Sequence, residues 1–342
     1  MARKTEQHSI VTPELWEQVS NENKELMNEF IDYCKSTNKS VKTIDGYLND
    51  IMIFLTWNLQ YNSNKFFVDF TKRDVIKYQG WLVNTQKLSS ARVRRLKSAI
   101  SSMSNFIESV MDDLYPNFRP IINKIPAPPK QEVRDKTVLE DSQIEYLLNY
   151  LVEKGKYQQA CAFALAISSG SRKSEILRFK VSHFTDENIM FGALYKTPEK
   201  IKTKGRSSRG KMLYRYVLVS KFKPYFDLWM KQREELGIKG EELFWNKRNG
   251  VWKPGDISLL NSWANTFSNI LGIFYYFHSA RHKFCTDLCK ANIPADVIKD
   301  VIGWQSTSMI SIYNDQEVDD ELGKYFDSSG IKQVENKSLG DL

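Results

Sequence analysis

Two short basic segments and one distant tyrosine contain the residue types needed for chemistry on phosphate. His278 and Arg281 lie three residues apart and share one face if their segment is helical. Arg172 follows a glycine at the end of an apolar run far upstream. Guanidinium groups bind phosphate oxygens in pairs, and a phenol such as that of Tyr313 can form a covalent phosphoryl link. Together these residues favour attack on a phosphodiester.

Each of these residues also has an ordinary structural explanation. Arg172 and Glu175, three residues apart, would form a surface ion pair on a helix. Tyr313 is one of 16 tyrosines in the chain. The order and spacing of several motifs therefore decide between the two interpretations.

The motifs resemble, over about residues 20 to 325, those of the tyrosine recombinases, also called the phage integrase family. That family has a Gly-x-Arg-x-Ser-Glu motif, a hairpin lysine, a His-x-x-Arg-His motif, a Gly-His/Trp pair and a tyrosine nine residues after the His/Trp. Here the corresponding segments are residues 170–175, a lysine near 204, residues 278–282, Gly303-Trp304 and Tyr313. The shared order and the last spacing carry the resemblance.

The resemblance implies a role for each residue. Tyr313 would attack the scissile phosphate and form a 3′-phosphotyrosyl link, while Lys204 would protonate the leaving 5′ oxygen. The other site residues would stabilise the charge on the phosphoryl oxygens. The indole of Trp304, where most relatives have histidine, can donate a hydrogen bond but cannot act as a base. No metal or other cofactor is implied. The expected catalytic residues are Arg172, Lys204, His278, Arg281, Trp304 and Tyr313, with Glu175 orienting the site and His282 in a structural supporting role.

The choice of the catalytic lysine stays open in the sequence. The region from 196 to 215 is densely basic, and a solvated sheet edge rich in lysine is an ordinary alternative. The turn at Lys204 resembles the family's hairpin and favours that residue. Lys202 would project from the same side of a strand, and Lys196 is a more distant alternative. Candidate DNA-binding residues here are Lys202, Arg206 and Arg209.

The elements that must position these residues are mostly helical. Apolar residues recur at helical spacing through most of the chain, and a strand-rich stretch occupies residues 189–220. The fold class expected is mostly α with a small antiparallel β-sheet, with a helical core-binding domain and a mixed α/β catalytic domain. Helices are predicted at 71–84, 142–152, 157–167, 221–236, 256–271, 278–290 and 295–301, with two more starting near Asn21 and Ser40 and one around Val93 to Phe106.

A cluster of five prolines between 116 and 129 marks the clearest domain boundary, because proline fixes φ and removes a backbone donor. The predicted organisation is a polar arm (1–20), a helical SAM-like DNA-binding domain (21–115), a Pro-rich linker (116–136), a catalytic domain (137–326) and a polar tail (327–342). In the first domain, Trp57 and Trp81 are expected in the core. One helix there has a basic face that either contacts phosphates or is merely solvated, formed by Arg92, Arg94, Arg95 and Lys97.

Composition is consistent with a folded protein that has an anionic partner. The 342 residues are 42% hydrophobic and carry a net charge of +8, with a pI near 9.0. The four cysteines lack the spacing of a disulfide framework or a zinc site, so free thiols are expected. No signal peptide or membrane span is apparent, which predicts a cytoplasmic, nucleoid-associated protein.

The function expected from the resemblance is site-specific recombination of duplex DNA, with integration or excision of a mobile element or phage as the expected role. The family acts as a homo-tetramer on DNA, and Leu322, Tyr325 and Phe326 could dock its C-terminal segment into a neighbouring subunit. Two alternatives remain: a type IB topoisomerase that only relaxes DNA, and a catalytically silent DNA-binding protein.

Overall fold

The computed structural model describes residues 10–129, 139–203, 211–304, 306–310, 326–327 and 330–331. These residues form two compact units, an N-terminal unit built on residues 10–129 and a C-terminal unit built on residues 139–203 and 212 onwards. Each unit has its own apolar core. The helical content and the small antiparallel sheets confirm the predicted fold class.

The N-terminal unit is helical. Ser40 caps the third helix by accepting a hydrogen bond from the Thr43 backbone, and Thr71 with Asp74 forms a capping box at the fourth. Trp57 and Trp81 are buried in the core, as predicted. The helices are α1 (Pro13–Gln18), α2 (Asn21–Ser36), α3 (Val41–Tyr61), α4 (Lys72–Gly80) and α5 (Ser90–Val110).

Two details of this unit differ from the sequence prediction. The segment expected to be part of a loose arm contains helix α1, which Thr12 caps, and Val19 just after it is buried. The helix predicted at 71–84 ends as an α-helix at Gly80 and continues as a π-helical turn, Trp81–Thr85. Val19 and Trp81 are both buried in the core of this unit.

The C-terminal unit is built around a buried helix, α7. Every residue of α7 from Ala160 to Ser169 is buried, as expected for a helix that is apolar on all sides. Helices α6, α9 and α11 surround it. The helices are α6 (Asp141–Glu153), α7 (Tyr157–Ser169), α8 (Lys173–Ile176), α9 (Val219–Glu235), α10 (Ile257–Leu271), α11 (Phe277–Lys290) and α12 (Ala295–Ile302).

The strands of this unit form small antiparallel sheets. The central sheet has the order β1-β2-β5, with the buried side chains of Tyr195 and Val217 opposite each other. Strands β3 and β4 pair separately, and strands β6 and β7 form a hairpin that was not predicted from the sequence. The strands are β1 (Ile189–Met190), β2 (Leu194–Lys196), β3 (Ile201–Thr203), β4 (Lys211–Leu213), β5 (Tyr216–Leu218), β6 (Trp245–Arg248), β7 (Val251–Pro254), β8 (Phe326–Asp327) and β9 (Gly330–Ile331).

Candidate active site

The first part of the site is the turn that follows α7. Gly170 ends this helix in the left-handed conformation, with φ of 56°, and a Cβ here would lie 2.6 Å from Cδ1 of Phe284. Only glycine fits such a position without strain. The turn leads directly into Arg172, which precedes α8. The position of the buried helix α7 therefore sets the position of Arg172.

Glu175 holds Arg172 in place. Its Oε1 accepts a hydrogen bond from Nη1 of Arg172 at 2.9 Å, and its Oε2 accepts one from the Arg172 backbone N at 3.2 Å. The Glu175 side chain is fully buried, whereas 27% of the Arg172 side chain is exposed. Arg172 is thus oriented from the protein side while part of its side chain is exposed.

Arg281 connects this turn to the end of α12. Its Nη1 donates to the carbonyl of Gly170 at 2.9 Å and its Nη2 to the carbonyl of Ile302 at 3.1 Å. The Arg281 side chain is fully buried, and its guanidinium carbon lies 5.5 Å from the ring centroid of Trp304. Residues that are more than a hundred positions apart in the chain are therefore joined by one side chain.

Trp304 follows a second left-handed glycine. Gly303 ends α12 with φ of 80°, and a Cβ there would lie 2.6 Å from Leu213 Cδ1 and 3.3 Å from Arg215 Nη1. Trp304 is buried in a small apolar cluster with Phe284. It therefore packs in a core and also lies beside Arg281.

His278 is half-buried among the cationic residues. The pKa of His278 is lowered to about 4, mainly by burial. The nearby His282, Arg281 and Arg172 lower it further. Its ring meets the buried ring of His282 edge-on, with 5.3 Å between centroids. The imidazole of His278 is consequently neutral near pH 7 in the DNA-free protein.

Sequence reasoning missed one residue of this cluster, Arg215. It was grouped with the basic residues of the hairpin region, but its side chain is fully buried. Its Nη2 lies 3.5 Å from Oε2 of Glu175, and it donates to Ser171 and to the carbonyls of Ser169 and Ile302. The basic stretch around Arg215 gave no signal of this burial. The one hint in the sequence is that Arg215 directly precedes the apolar strand β5.

The cluster has an excess of positive charge. Three guanidinium groups, those of Arg172, Arg215 and Arg281, bind the turn after α7 or lie beside it, and the buried carboxylate of Glu175 pairs with two of them, Arg172 and Arg215. His278 adds no charge near pH 7. Such an excess at a partly exposed arginine favours binding of an anion, and the planar guanidinium suits the oxygens of a phosphate.

The described residues bring together five of the predicted catalytic and supporting side chains around this turn, and His282 lies beside them. Lys204, Arg206, Arg209 and Tyr313 lie outside the described residues, so their predicted roles stay predictions. Lys202 lies on β3 with its side chain exposed, between the buried Ile201 and Thr203. Its backbone carbonyl accepts a hydrogen bond from Arg178 at 2.8 Å. The ammonium group of Lys196 lies over the Tyr214 ring, with its Nζ 4.7 Å from the ring centroid.

The basic face of α5 divides into two kinds of residue. Arg92 and Arg95 both bind the buried carboxylate of Asp50 and keep part of their side chains exposed. Arg94 donates to the carbonyl of Pro128 at 2.8 Å. Lys97 is buried, and its Nζ donates to Gln79 and to the carbonyl of Ile125, each at 2.7 Å. These contacts favour a structural role for Lys97, whereas DNA binding by the three arginines stays a prediction.

Few features of the described residues suggest other chemistry. All four cysteines are free thiols; Cys285 is buried and Cys289 is half-buried. Within the residues that the structure describes, no group of three or more His, Cys, Asp or Glu side chains is arranged to hold a metal ion. In the same part of the chain, no helix combines the length and apolar character needed to cross a membrane.

Comparison with known proteins gives the same assignment for both units. Residues 137–319 match the model of the phage integrase family, and residues 26–117 match that of the phage integrase N-terminal SAM-like domain. The chain is 30% identical over 270 residues to the SPbeta prophage-derived recombinase-like protein YomM of Bacillus subtilis (strain 168), with 77% of each chain covered. It is 23% identical over 309 residues to tyrosine recombinase XerC of Rickettsia bellii (strain RML369-C), with 86% of this chain and 93% of that protein covered.

A solved structure shares the fold. The XerH site-specific recombinase bound to palindromic difH substrate, in a post-cleavage complex, aligns with a TM-score of 0.62 at 18% identity, over 87% of this chain and 84% of that one. The chain belongs to the phage integrase family of tyrosine recombinases. It is a DNA strand breaking and rejoining enzyme, and its class of reaction is site-specific recombination.

Proposed function

We propose that this protein cuts and rejoins duplex DNA at specific sites through a 3′-phosphotyrosyl intermediate formed on Tyr313. The observation that carries the proposal is the cluster of Arg172, Arg281 and His278 around one turn, with Trp304 beside it and with positive charge in excess. Such a cluster supplies charge stabilisation where a phosphodiester gains negative charge during attack.

Each chemical step uses a residue of this chain. The Tyr313 oxygen attacks the scissile phosphorus, its proton passes to a base, and the bond from phosphorus to the 5′ oxygen breaks. Lys204 donates a proton to that leaving oxygen. The 5′ hydroxyl of a partner strand then attacks the phosphotyrosine and gives its proton back to Lys204, while the bond from phosphorus to the Tyr313 oxygen breaks and that oxygen regains its proton from the base. One phosphodiester replaces another, so the bond energy is conserved.

His278 is suited to managing protons at this site. It is neutral near pH 7 before DNA binds, because its pKa is lowered to about 4. A phosphate bound to Arg172 and Arg281 would add negative charge nearby and raise that pKa toward neutrality. In the neutral form, His278 can accept a proton from Tyr313 directly or through water, and it can return one later.

In this proposal the N-terminal unit supplies a second DNA-binding surface, in agreement with the DNA-binding domain predicted there from the sequence. Its match to the SAM-like domain and the exposed parts of Arg92 and Arg95 support this role. DNA binding is also the state in which the XerH relative was solved. We further propose a homo-tetramer on two DNA sites, joined through the segment that contains Leu322, Tyr325 and Phe326.

Integration or excision of a mobile element or phage is the biological role that we propose. The support is the likeness to YomM, a prophage-derived recombinase-like protein. Sequencing the DNA on both sides of the gene tests this role directly. Paired attachment-like repeats at the ends of a mobile element support it, and a gene placed within an ordinary chromosomal operon on both sides contradicts it.

Strand exchange between two labelled duplexes tests the reaction itself. Each duplex contains a binding site selected by the wild-type protein from a randomised DNA pool, and the two differ in the length of their arms. The proposal predicts products with exchanged arms, formed in excess chelator because side chains stabilise the charge. Relaxation of supercoiled DNA without exchange supports the topoisomerase alternative. Binding without cleavage supports the silent DNA-binding alternative.

A further inference from the structure

Arg215 is a fully buried arginine whose donors are used inside the protein. Its Nε donates to Ser171 at 3.4 Å, its Nη1 to the carbonyls of Val301 and Ile302 at 3.3 and 3.0 Å, and its Nη2 to the carbonyl of Ser169 at 3.3 Å. It has no exposed surface, and each of its nitrogens donates to a protein acceptor.

Glu175 therefore has two arginine partners of different kinds. Arg172 binds Oε1 at 2.9 Å and is partly exposed, whereas Arg215 lies 3.5 Å from Oε2 and is fully buried. A buried carboxylate without a compensating cation is strongly unfavourable. If Arg172 were the sole partner, drawing its guanidinium toward a phosphate would leave Glu175 poorly compensated.

We propose that Arg215 is a positioning residue for Arg172, acting as the permanent counter-ion of Glu175 so that Arg172 can bind the scissile phosphate while Glu175 holds it. This inference rests on the recombinase chemistry proposed above. Arg215 keeps its charge over the whole working pH range, because a guanidinium does not lose its proton there. Its attraction to Glu175 is therefore constant whether or not DNA is bound.

The same side chain also fixes the geometry around Arg172. Its bonds to Ser169 and Ser171 lie on either side of Gly170, whose carbonyl is bound by Arg281. Its bond to Ile302 places the end of α12 against the same turn. The two phosphate-binding arginines are thus attached to one framework, and a small displacement of that framework lowers the reaction rate steeply.

A double-mutant cycle tests the proposal. The variants are Arg215→Met, Glu175→Gln and the combination of both, and the readouts are the single-turnover cleavage rate on a selected duplex and the affinity for that duplex. We expect Arg215→Met to lower the cleavage rate about 100-fold while leaving affinity nearly unchanged. In the Glu175→Gln background, the same substitution should cost less than about 10-fold, because no buried carboxylate then needs a counter-ion. Equal losses in both backgrounds would overturn the proposal.

A matched control uses Arg233, another buried arginine whose bonds go to the carbonyls of Ile238, Gly240 and Glu242, away from the site. Arg233→Met should lower stability but leave the cleavage rate per folded molecule unchanged. If Arg215→Met does not fold, the double variant decides the matter. Restored folding with Glu175→Gln supports the counter-ion role, and continued failure to fold overturns it. Wild-type protein that does not cleave would instead refute the proposed function.

Discussion

Arg215 and Arg281 donate hydrogen bonds to the same backbone atom, the carbonyl oxygen of Ile302, at 3.0 and 3.1 Å. Both guanidinium groups also bind the turn after α7, one at Ser169 and the other at Gly170. The end of α12, and with it Gly303 and Trp304, is therefore held against the arginine site by two charged side chains rather than by apolar packing alone. Substitutions at either end of this connection should change catalysis and stability together.

Gly303→Ala tests the connection at α12. Alanine would be strained at φ of 80°, and its Cβ would lie 2.6 Å from Leu213 Cδ1 and 3.3 Å from Arg215 Nη1. We expect the free energy of unfolding to fall by about 2–4 kcal/mol, from left-handed strain plus overpacking. Urea unfolding measures this change, and the cleavage rate should fall as Trp304 is displaced.

Gly272→Ala is the matched control for that prediction. Gly272 also ends a helix in the left-handed conformation, with φ of 68°, but an added Cβ there would meet nothing within 4 Å. It should show only the strain, about 1–2 kcal/mol, with normal cleavage. Equal losses of stability and activity in the two variants would contradict the role given to the contacts around Gly303.

The lowered pKa of His278 makes a pH-dependent contribution to stability. The unfolded histidine takes up a proton near pH 6.5, whereas the folded one does so only near pH 4. The wild-type protein should therefore lose stability from this group as the pH falls from 6.5 to 4. Because His278→Gln lacks this group, its free energy of unfolding should fall by about 1–3 kcal/mol less than that of the wild-type protein over the same pH range. Urea unfolding at pH 7 and pH 4.5 measures it, and parallel pH profiles for the two proteins would contradict the prediction.

Lys97 should behave as a structural residue and Arg95 as a DNA-binding one. Lys97→Met leaves two partly buried acceptors, Gln79 and the Ile125 carbonyl, without their donor, so stability should fall by about 1–3 kcal/mol. The salt dependence of DNA affinity should stay unchanged. Arg95→Gln, at a side chain that is 56% exposed, should instead reduce the slope of log affinity against log salt by about 1. The reverse pattern would show that the two roles are exchanged.

Much of this site could be predicted from the sequence because its motifs are local. Arg172 and Glu175 lie within one turn, as do His278 and Arg281, so spacing alone places each pair on one face. Arg215 could not be predicted, because its partners lie 44 and 87 residues away, at Ser171 and Ile302. Only the tertiary fold shows that a guanidinium in a basic stretch is buried.

The same distinction holds for the elements. The major helices carried apolar stripes and caps such as Ser40, and they were predicted to within a few residues. The β6–β7 hairpin, made mostly of exposed residues, has little apolar alternation to reveal it. Lys97 was assigned to a basic face because a helical pattern does not show which polar position is covered by other segments, here by Gln79 and Ile125.

A substrate with sulfur in place of the bridging 5′ oxygen distinguishes the candidate lysines. If Lys204 protonates the leaving oxygen, Lys204→Ala should lower the cleavage rate of ordinary DNA by about 100-fold or more. The sulfur substrate should restore most of that rate, because a thiolate leaves without a proton. Lys202→Ala is the control and should show no such rescue. Rescue of Lys202→Ala alone would transfer the general-acid role to Lys202.

The central claim is that Tyr313 is the nucleophile, and trapping the covalent intermediate tests it most directly. A selected duplex nicked beside the cleavage point loses the short fragment after attack, so the protein remains attached to DNA on a denaturing gel. Mass spectrometry of the digested adduct should identify a 3′-phosphotyrosyl bond on the peptide that contains Tyr313. Tyr313→Phe should bind the duplex normally and give no adduct, because it lacks only the nucleophilic oxygen. An adduct that persists in this variant, or that maps to another residue such as Tyr325, would contradict the account.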